Sequence, residues 1–196
     1  MVLITIKRTN TYQHFQYDGD MNIPVTTLIK IINNQKEILD IDGNEVKPIS
    51  WSCSCLQGLC GSCAMLINDI PQLACKAFLN KVVKNNKIKI EALSKFPIIK
   101  DLEVDRSCLY NAMKESKQWI NNNAKVNKND ISFEYEMSQC LMCGCCLEAC
   151  PNYTNESKYF GIPVVVSSAK LINQESDKKH INEIKMIIKR NFIQIV

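Results

Sequence analysis

Apolar and polar residues alternate from Leu3 to Lys7 and again from Tyr12 to Tyr17, with Thr9-Asn10-Thr11 between the two runs. This period of two predicts an opening β-hairpin. The period then changes. After Pro24, the residues Val25, Leu28, Ile29 and Ile32 fall at i, i+3, i+4 and i+7, which predicts an amphipathic helix with Thr26 or Thr27 as its cap. Asp42-Gly43-Asn44 reads as a turn, and residues 52–63 hold too much Cys, Ser and Gly for a regular element. Ala64 to Ile67 and Gln72 to Ala74 read as short strands about an Asn68–Pro71 turn. Lys87 to Glu91 reads as a late strand with Ile88 and Ile90 on one face. Two hairpins, one helix and a late strand around a cysteine loop predict a small β-grasp domain over residues 1–100.

Beyond Pro97 the pattern turns helical. Leu102, Tyr110, Met113 and Trp119 belong to a stretch around 106–121 that Asn121-Asn122-Asn123 closes, and a polar linker follows, so residues 101–129 read as helix and linker. Residues 130–196 read as helical, with Pro163-Val164-Val165-Val166 as the remaining strand signal. Ile181, Ile184, Ile187 and Ile188 predict one more amphipathic helix. The expected fold class is α+β, a β-grasp domain followed by a helical one.

Composition narrows the function classes. A chain of 196 residues with 46% hydrophobic and 22% charged residues is an ordinary globular protein, not a disordered tail, collagen or coiled coil. No apolar run approaches the ~18 residues of a spanning helix. The net charge of +4 is mild and spread out, and gives no argument for nucleic-acid binding. MVLITIKRTN lacks the features of a secretory or organellar presequence and reads directly as a strand, which predicts a cytoplasmic protein. The outlier is cysteine, with 11 residues, an odd number that leaves a thiol over from any closed disulfide set. Most of them crowd into 55–63 and 140–150, which points to a reducing compartment and bound metal.

Cys55-Leu-Gln-Gly-Leu-Cys60-Gly-Ser-Cys63, with Cys75 further on, has the C-x4-C-x2-C spacing of a plant-type [2Fe–2S] site. Three thiolates reach one small cluster from a single loop only if the backbone curls round it. Gly58 and Gly61 permit the positive φ this needs, and Ser62 and Ala64 are small enough to leave backbone N–H groups access. Structural zinc, which takes separated Cys/His pairs, fits this spacing poorly. Cys53 reads as a bystander. The second group, Cys140-Leu-Met-Cys143-Gly-Cys145-Cys146-Leu-Glu-Ala-Cys150-Pro151, contains the bacterial ferredoxin run C-x2-C-x2-C-x3-C-P, in which three cysteines hold one cubane and the fourth faces another cluster. Cys145 falls between ligand positions and is expected to point away; Cys108 reads as a core thiol.

A plant-type domain followed by a bacterial-ferredoxin domain resembles the iron–sulfur subunit family of succinate dehydrogenase and fumarate reductase. Pro48-Ile49-Ser50-Trp51, Cys60-Gly61-Ser62-Cys63-Ala64-Met65, Phe96-Pro97-Ile98-Ile99-Lys100-Asp101-Leu102 and Val104-Asp105-Arg106-Ser107 share the likeness. Cys146-Leu147-Glu148-Ala149-Cys150-Pro151-Asn152 resembles the branch working with menaquinone and a dihaem cytochrome b anchor. The resemblance implies an electron wire with no bond chemistry of its own, running from the FAD of a flavoprotein subunit to a quinone at a membrane anchor. It implies Cys55, Cys60, Cys63 and Cys75 as [2Fe–2S] ligands, Cys140, Cys143 and Cys146 as three ligands of a [4Fe–4S] cluster, and Cys150 as one ligand of a [3Fe–4S] cluster. It places the subunit peripherally on the cytoplasmic side of a bacterial inner membrane.

Two departures stand out. The family's ubiquinone-linked members carry a Trp shortly after the Cys-Pro, where this chain has Asn152-Tyr153-Thr154-Asn155. Family members also carry a second cysteine group ending in Cys-Pro, which supplies the remaining ligands, whereas no cysteine follows Cys150 here. The expectation is a shortened member with a labile [4Fe–4S] site and no [3Fe–4S] centre. A stand-alone [2Fe–2S] module and a non-functional truncated product are the competing readings.

Overall fold

The opening alternation becomes β1 (Val2–Lys7) and β2 (Tyr12–Tyr17), paired antiparallel with Ile4 opposite Phe15. The computed structural model describes residues 1–121, 124, 131–154, 156 and 158–193, and the chain divides into two units, Met1–Asp105 and Arg106–Val196. In the first unit, α1 (Val25–Asn33) buries Val25, Leu28, Ile29 and Ile32, the stripe legible in the sequence. Neither Thr26 nor Thr27 caps it. Pro24 holds the N-cap position in extended conformation, and Thr26 is buried inside the first turn.

The second hairpin, β3 (Ala64–Ile67) and β4 (Ile70–Leu73), is tighter than expected. Its turn is the two residues Asn68 and Asp69, both at positive φ (50° and 65°), the geometry that matches strand twist across a two-residue loop. Pro71 therefore lies within β4, at the sheet edge where a missing N–H costs little. After α2 (Leu79–Val82), β5 (Lys87–Glu91) enters the middle of the sheet, parallel to β1 and antiparallel to β3. The order β2-β1-β5-β3-β4 brings Ile4, Ile6, Ile88 and Ile90 under α1, and all four are at most 2% exposed. This is the mixed sheet and helix of the expected β-grasp fold. A short hairpin, β6 (Ile98–Lys100) and β7 (Glu103–Val104), completes the unit. Leu102, expected in a helix, lies between its strands and belongs to this unit's core.

The second unit holds α3 (Ser107–Glu115), α4 (Ile131–Ser138), α5 (Cys145–Ala149), α6 (Ile162–Gln174) and α7 (Lys178–Ile193). The expected strand at Pro163–Val166 is helix. Pro163 sits in the first turn of α6, where its missing N–H has no helical acceptor to lose, and Val164, Ser168 and Leu171 bury one face at i, i+4 and i+7. Tertiary packing overrides the β-branched run. The helix begins at Gly161, whose φ of 78° and approach to Leu147 leave no room for a Cβ. The isoleucine helix forms as α7, with Ile184 fully buried. His180 is buried beside it, its Nε2 2.9 Å from the Trp119 carbonyl oxygen. Most of the expected linker, residues 122, 123 and 125–130, lies outside the described residues.

Residues 47–50 have no regular structure, yet nearly every backbone group there is held by another element. Arg8 donates to the carbonyls of Lys47 and Pro48, both at 3.1 Å. The Asn33 side chain clamps Ile49 at both N–H (2.8 Å) and C=O (2.9 Å). Ser50 N–H donates to Asp101 Oδ2 at 3.0 Å, and Leu102 N–H donates to the Ser50 carbonyl at 3.1 Å. Arg8 and Asp101 themselves form a buried ion pair at 2.9 Å. Burial pushes the Asp101 carboxyl pKa up, but the Arg8 hydrogen bond, the Ser50 N–H and the guanidinium charge outweigh it and hold the group below its ordinary value. Asp101 therefore stabilises the fold fully above the unfolded value of about 3.9, and this contribution is lost as pH falls through the lower native value. Asp101→Ala leaves Arg8 buried without its counter-charge. Urea unfolding at neutral pH should show a loss of about 3–5 kcal/mol, shrinking as pH is lowered through the carboxylate range; a loss under about 1 kcal/mol would contradict this role.

Candidate metal centre

The loop following the pinned segment curls because its backbone enters the left-handed region at three places: Leu56 (φ 57°), Gly58 (φ 78°) and Gly61 (φ 76°). The curl turns amides inward. Gln57 N–H and Leu59 N–H both donate to Cys55 Sγ, at 3.4 and 3.3 Å. The Cys60 Sγ lies 3.0 Å from Ser62 Oγ and within hydrogen-bond reach of the Cys55 thiol. These bonds, first from the Ser62 hydroxyl and then from the Cys55 and Ser62 backbone, lower the Cys60 pKa to about 6.

The other two thiols form a second pair. Ala74 N–H donates to the Cys63 carbonyl at 3.0 Å, which draws the turn after β4, with Cys75 in it, beside Cys63. The two side chains are within hydrogen-bond reach, and both residues are buried. Burial first, and then the Cys75 and Cys60 charges, push the Cys63 thiol up to about 11. The four sequence-predicted residues thus come together as an outer, half-buried pair, Cys55 and Cys60, and an inner, buried pair, Cys63 and Cys75.

Among the described residues, no group of three or more Cys, His, Asp or Glu side chains is arranged to hold one metal ion. A dinuclear [2Fe–2S] core asks for two thiolates on each iron, and two adjacent pairs fit that demand. The donor set and the inward amides both fit the group.

In the second motif, Met142 (φ 53°) and Gly144 (φ 87°) bend the chain between ligand positions. Cys140, Cys143 and Cys146 are near enough for their charges to interact. Burial, then the charges of Cys143 and Cys140, raise the Cys146 pKa. Cys145 does not point away. Gly144 precedes α5 in the left-handed conformation, and interaction with the neighbouring Cys145 thiol lowers the Cys143 pKa to about 6. Arg106 adds a favourable charge there, a contribution that the spacing of the cysteines did not reveal. Cys150 ends α5 in extended conformation. The Tyr159 pKa is raised by burial and by the charges of Cys150 and Cys146. Cys108 is half-buried and accepts a bond from Tyr153 Oη at 3.4 Å, and Cys53 is exposed.

The 2Fe-2S iron-sulfur cluster binding domain family matches residues 4–111. Over 180 residues the chain is 32% identical to the succinate dehydrogenase iron-sulfur subunit of Bacillus subtilis (strain 168), covering 86% of this chain and 70% of that protein. The chain belongs to the iron–sulfur subunit family of succinate dehydrogenase and fumarate reductase. The fumarate reductase iron-sulfur subunit of Escherichia coli O6:H1 is 31% identical over 144 residues, covering 69% of this subunit but only 58% of its own length. This subunit therefore spans between 58% and 70% of these two relatives. A chain of the Mycobacterium smegmatis Sdh1 complex in the apo form shares the fold, with TM-score 0.73 at 18% identity over 93% of this subunit and 80% of that chain.

Sequence reasoning treated Ser62 of this subunit only as a small residue. Its position two residues after Cys60 was visible, but its bond to the thiol was not. Hydrogen bonds to cluster sulfurs favour the reduced, more negative state. Ser62→Ala should lower the reduction potential of the holoprotein in a redox titration. An unchanged or raised potential would show that the hydroxyl does not act on the site.

Proposed function

We propose that this chain is the electron-transfer subunit of a succinate dehydrogenase or fumarate reductase complex, with Cys55, Cys60, Cys63 and Cys75 as the ligands of a [2Fe–2S] cluster. The observation that carries the reading is the gathering of these four thiols into two adjacent pairs, in a chain of this family. Bound there, the cluster supplies one-electron transfer. The chain's own residues do the rest. Gln57 and Leu59 N–H groups and the Ser62 hydroxyl place donors around the outer pair, where added negative charge is best stabilised. The inner pair is closed off from water by the core it sits in.

The partners follow from the same reading: an FAD-containing flavoprotein subunit on one side, and a membrane-anchor cytochrome b subunit with its quinone on the other. No helix among the described residues is long and apolar enough to cross a membrane. The same reading gives the chain a peripheral place on the cytoplasmic side of a bacterial inner membrane. Cys140, Cys143 and Cys146 would supply three corners of a [4Fe–4S] cluster, and Cys150 one ligand of a [3Fe–4S] cluster. A cubane takes four ligands, so its last corner is completed from outside this motif. In the chain alone the second site should lose iron readily.

Iron and sulfide analysis after anaerobic reconstitution tests this. The chain alone should retain about two irons through gel filtration, and the chain isolated from its own cells should bring its flavoprotein subunit with it. Six or more stably held irons in the isolated chain would contradict the incomplete second site. Two irons with no flavoprotein partner would make the chain a stand-alone [2Fe–2S] module.

A further inference from the structure

The last helix, α7, has two faces of opposite character. One is locked into the second unit. Ile184 is 0% exposed and His180 2%. The buried Asn191 side chain accepts the Phe160 N–H at 2.8 Å and donates to the Lys158 carbonyl at 2.6 Å. With one side of the helix held at three points, the other side is committed to solvent. There Lys178, Lys185 and Lys189 fall at i, i+7 and i+11, a row about 16 Å long at the helical rise. Beside it, Lys179, Met186 and Arg190 repeat the same spacing. All of these side chains are exposed, Met186 at 53%. The neighbouring carboxylates are engaged elsewhere. Glu183, the one acidic residue of α7, pairs with Lys117 at 2.6 Å. Asp177 caps the helix, accepting the Lys179 and His180 N–H groups at 2.9 and 3.3 Å. The exposed face thus gathers Lys and Arg side chains around one methionine, with no acidic side chain among them.

We infer that this face of α7 binds the anionic headgroups of a phospholipid bilayer, with the helix lying flat on the surface. Cations on one side of a helix sum their attraction to a plane of negative charge, roughly fivefold in affinity for each. A straight row meets such a plane at every position. Met186 argues for lipid over nucleic acid. An apolar side chain gains little among phosphates and sugars, whereas at a bilayer it enters the boundary between headgroups and acyl chains. The inference does not need the cluster assignment. It adds to the peripheral place proposed above a lipid contact made by this chain itself, apart from any made through an anchor subunit.

Flotation of the reconstituted full-length chain with vesicles, no other subunit present, tests this. The wild type should bind vesicles of phosphatidylcholine and phosphatidylglycerol in equal parts far more tightly than phosphatidylcholine alone, and should come off as salt is raised. Lys178→Gln, Lys185→Gln and Lys189→Gln combined should weaken binding about a hundredfold, while the same three changes to Arg should keep it within about threefold. Removing as much charge from exposed positions of the first unit, with Lys36→Gln, Lys81→Gln and Lys84→Gln, should also stay within about threefold. Wild-type-like binding by the α7 glutamine variant, or an equal loss in the first-unit variant, would overturn the headgroup site and leave the anchor reading intact. Equal affinity for polyglutamate or duplex DNA, or a wild type with no preference for the anionic vesicles, would do the same.

Discussion

The cluster loop depends on a buried ion pair that touches no thiol. Arg8, at the end of the first strand, and Asp101, in the last hairpin of the first unit, meet at 2.9 Å and between them fix residues 47, 48 and 50, with Asn33 fixing residue 49. An irregular segment forms no ladder to satisfy its own backbone, so each of its buried groups needs a partner from elsewhere. Here those partners come from a strand, a helix and a hairpin. The loop therefore starts from a fixed point and enters the sheet at β3. Its curl, its inward amides and the approach of Cys75 to Cys63 all presuppose those two fixed ends.

The pairing of thiols follows from that frame and divides the work. The outer pair is half-exposed and surrounded by donors, which favours negative charge; the inner pair is buried, which disfavours it. Iron binding must displace thiol protons, and burial makes that harder at Cys63, whose pKa it pushes up. The same sheet thus supplies a sealed side for holding the site and an open side for exchange with a partner. The second unit carries its three adjacent cysteines on a bend made by Met142 and Gly144, with Arg106 contributing the nearby positive charge.

Much of this was legible in the sequence, for a physical reason. Strand and helix periods leave a direct trace in apolar spacing, so the opening hairpin, α1, β5 and α7 could all be anticipated. Ligand spacing leaves a trace too, because a small inorganic core fixes how many residues separate its thiolates. The Val164–Val166 run misled because a helix can bury β-branched residues on one face when its partners supply the packing. Pro71 reads as turn chemistry, but an edge strand also accepts it, so the hairpin turn is two residues shorter than its sequence suggests. Cys145 interacts with Cys143, which the spacing of ligand positions alone does not show. Pro48–Trp51 and Phe96–Leu102 were singled out by resemblance with no reason attached. Long-range contacts join them through Ser50 and Asp101, and contacts across some fifty residues of chain leave no local pattern.

We propose that Cys55, Cys60, Cys63 and Cys75 form one two-iron, one-electron site. The direct measurement is EPR of the reconstituted chain before and after reduction, repeated for an alanine variant at each of the four positions. The expected result is a silent diferric form and a paramagnetic mixed-valence form on one-electron reduction, with the signal lost in each of the four variants and retained in Cys53→Ala. A reduced chain with no signal, or a signal that survives Cys75→Ala unchanged, would contradict it.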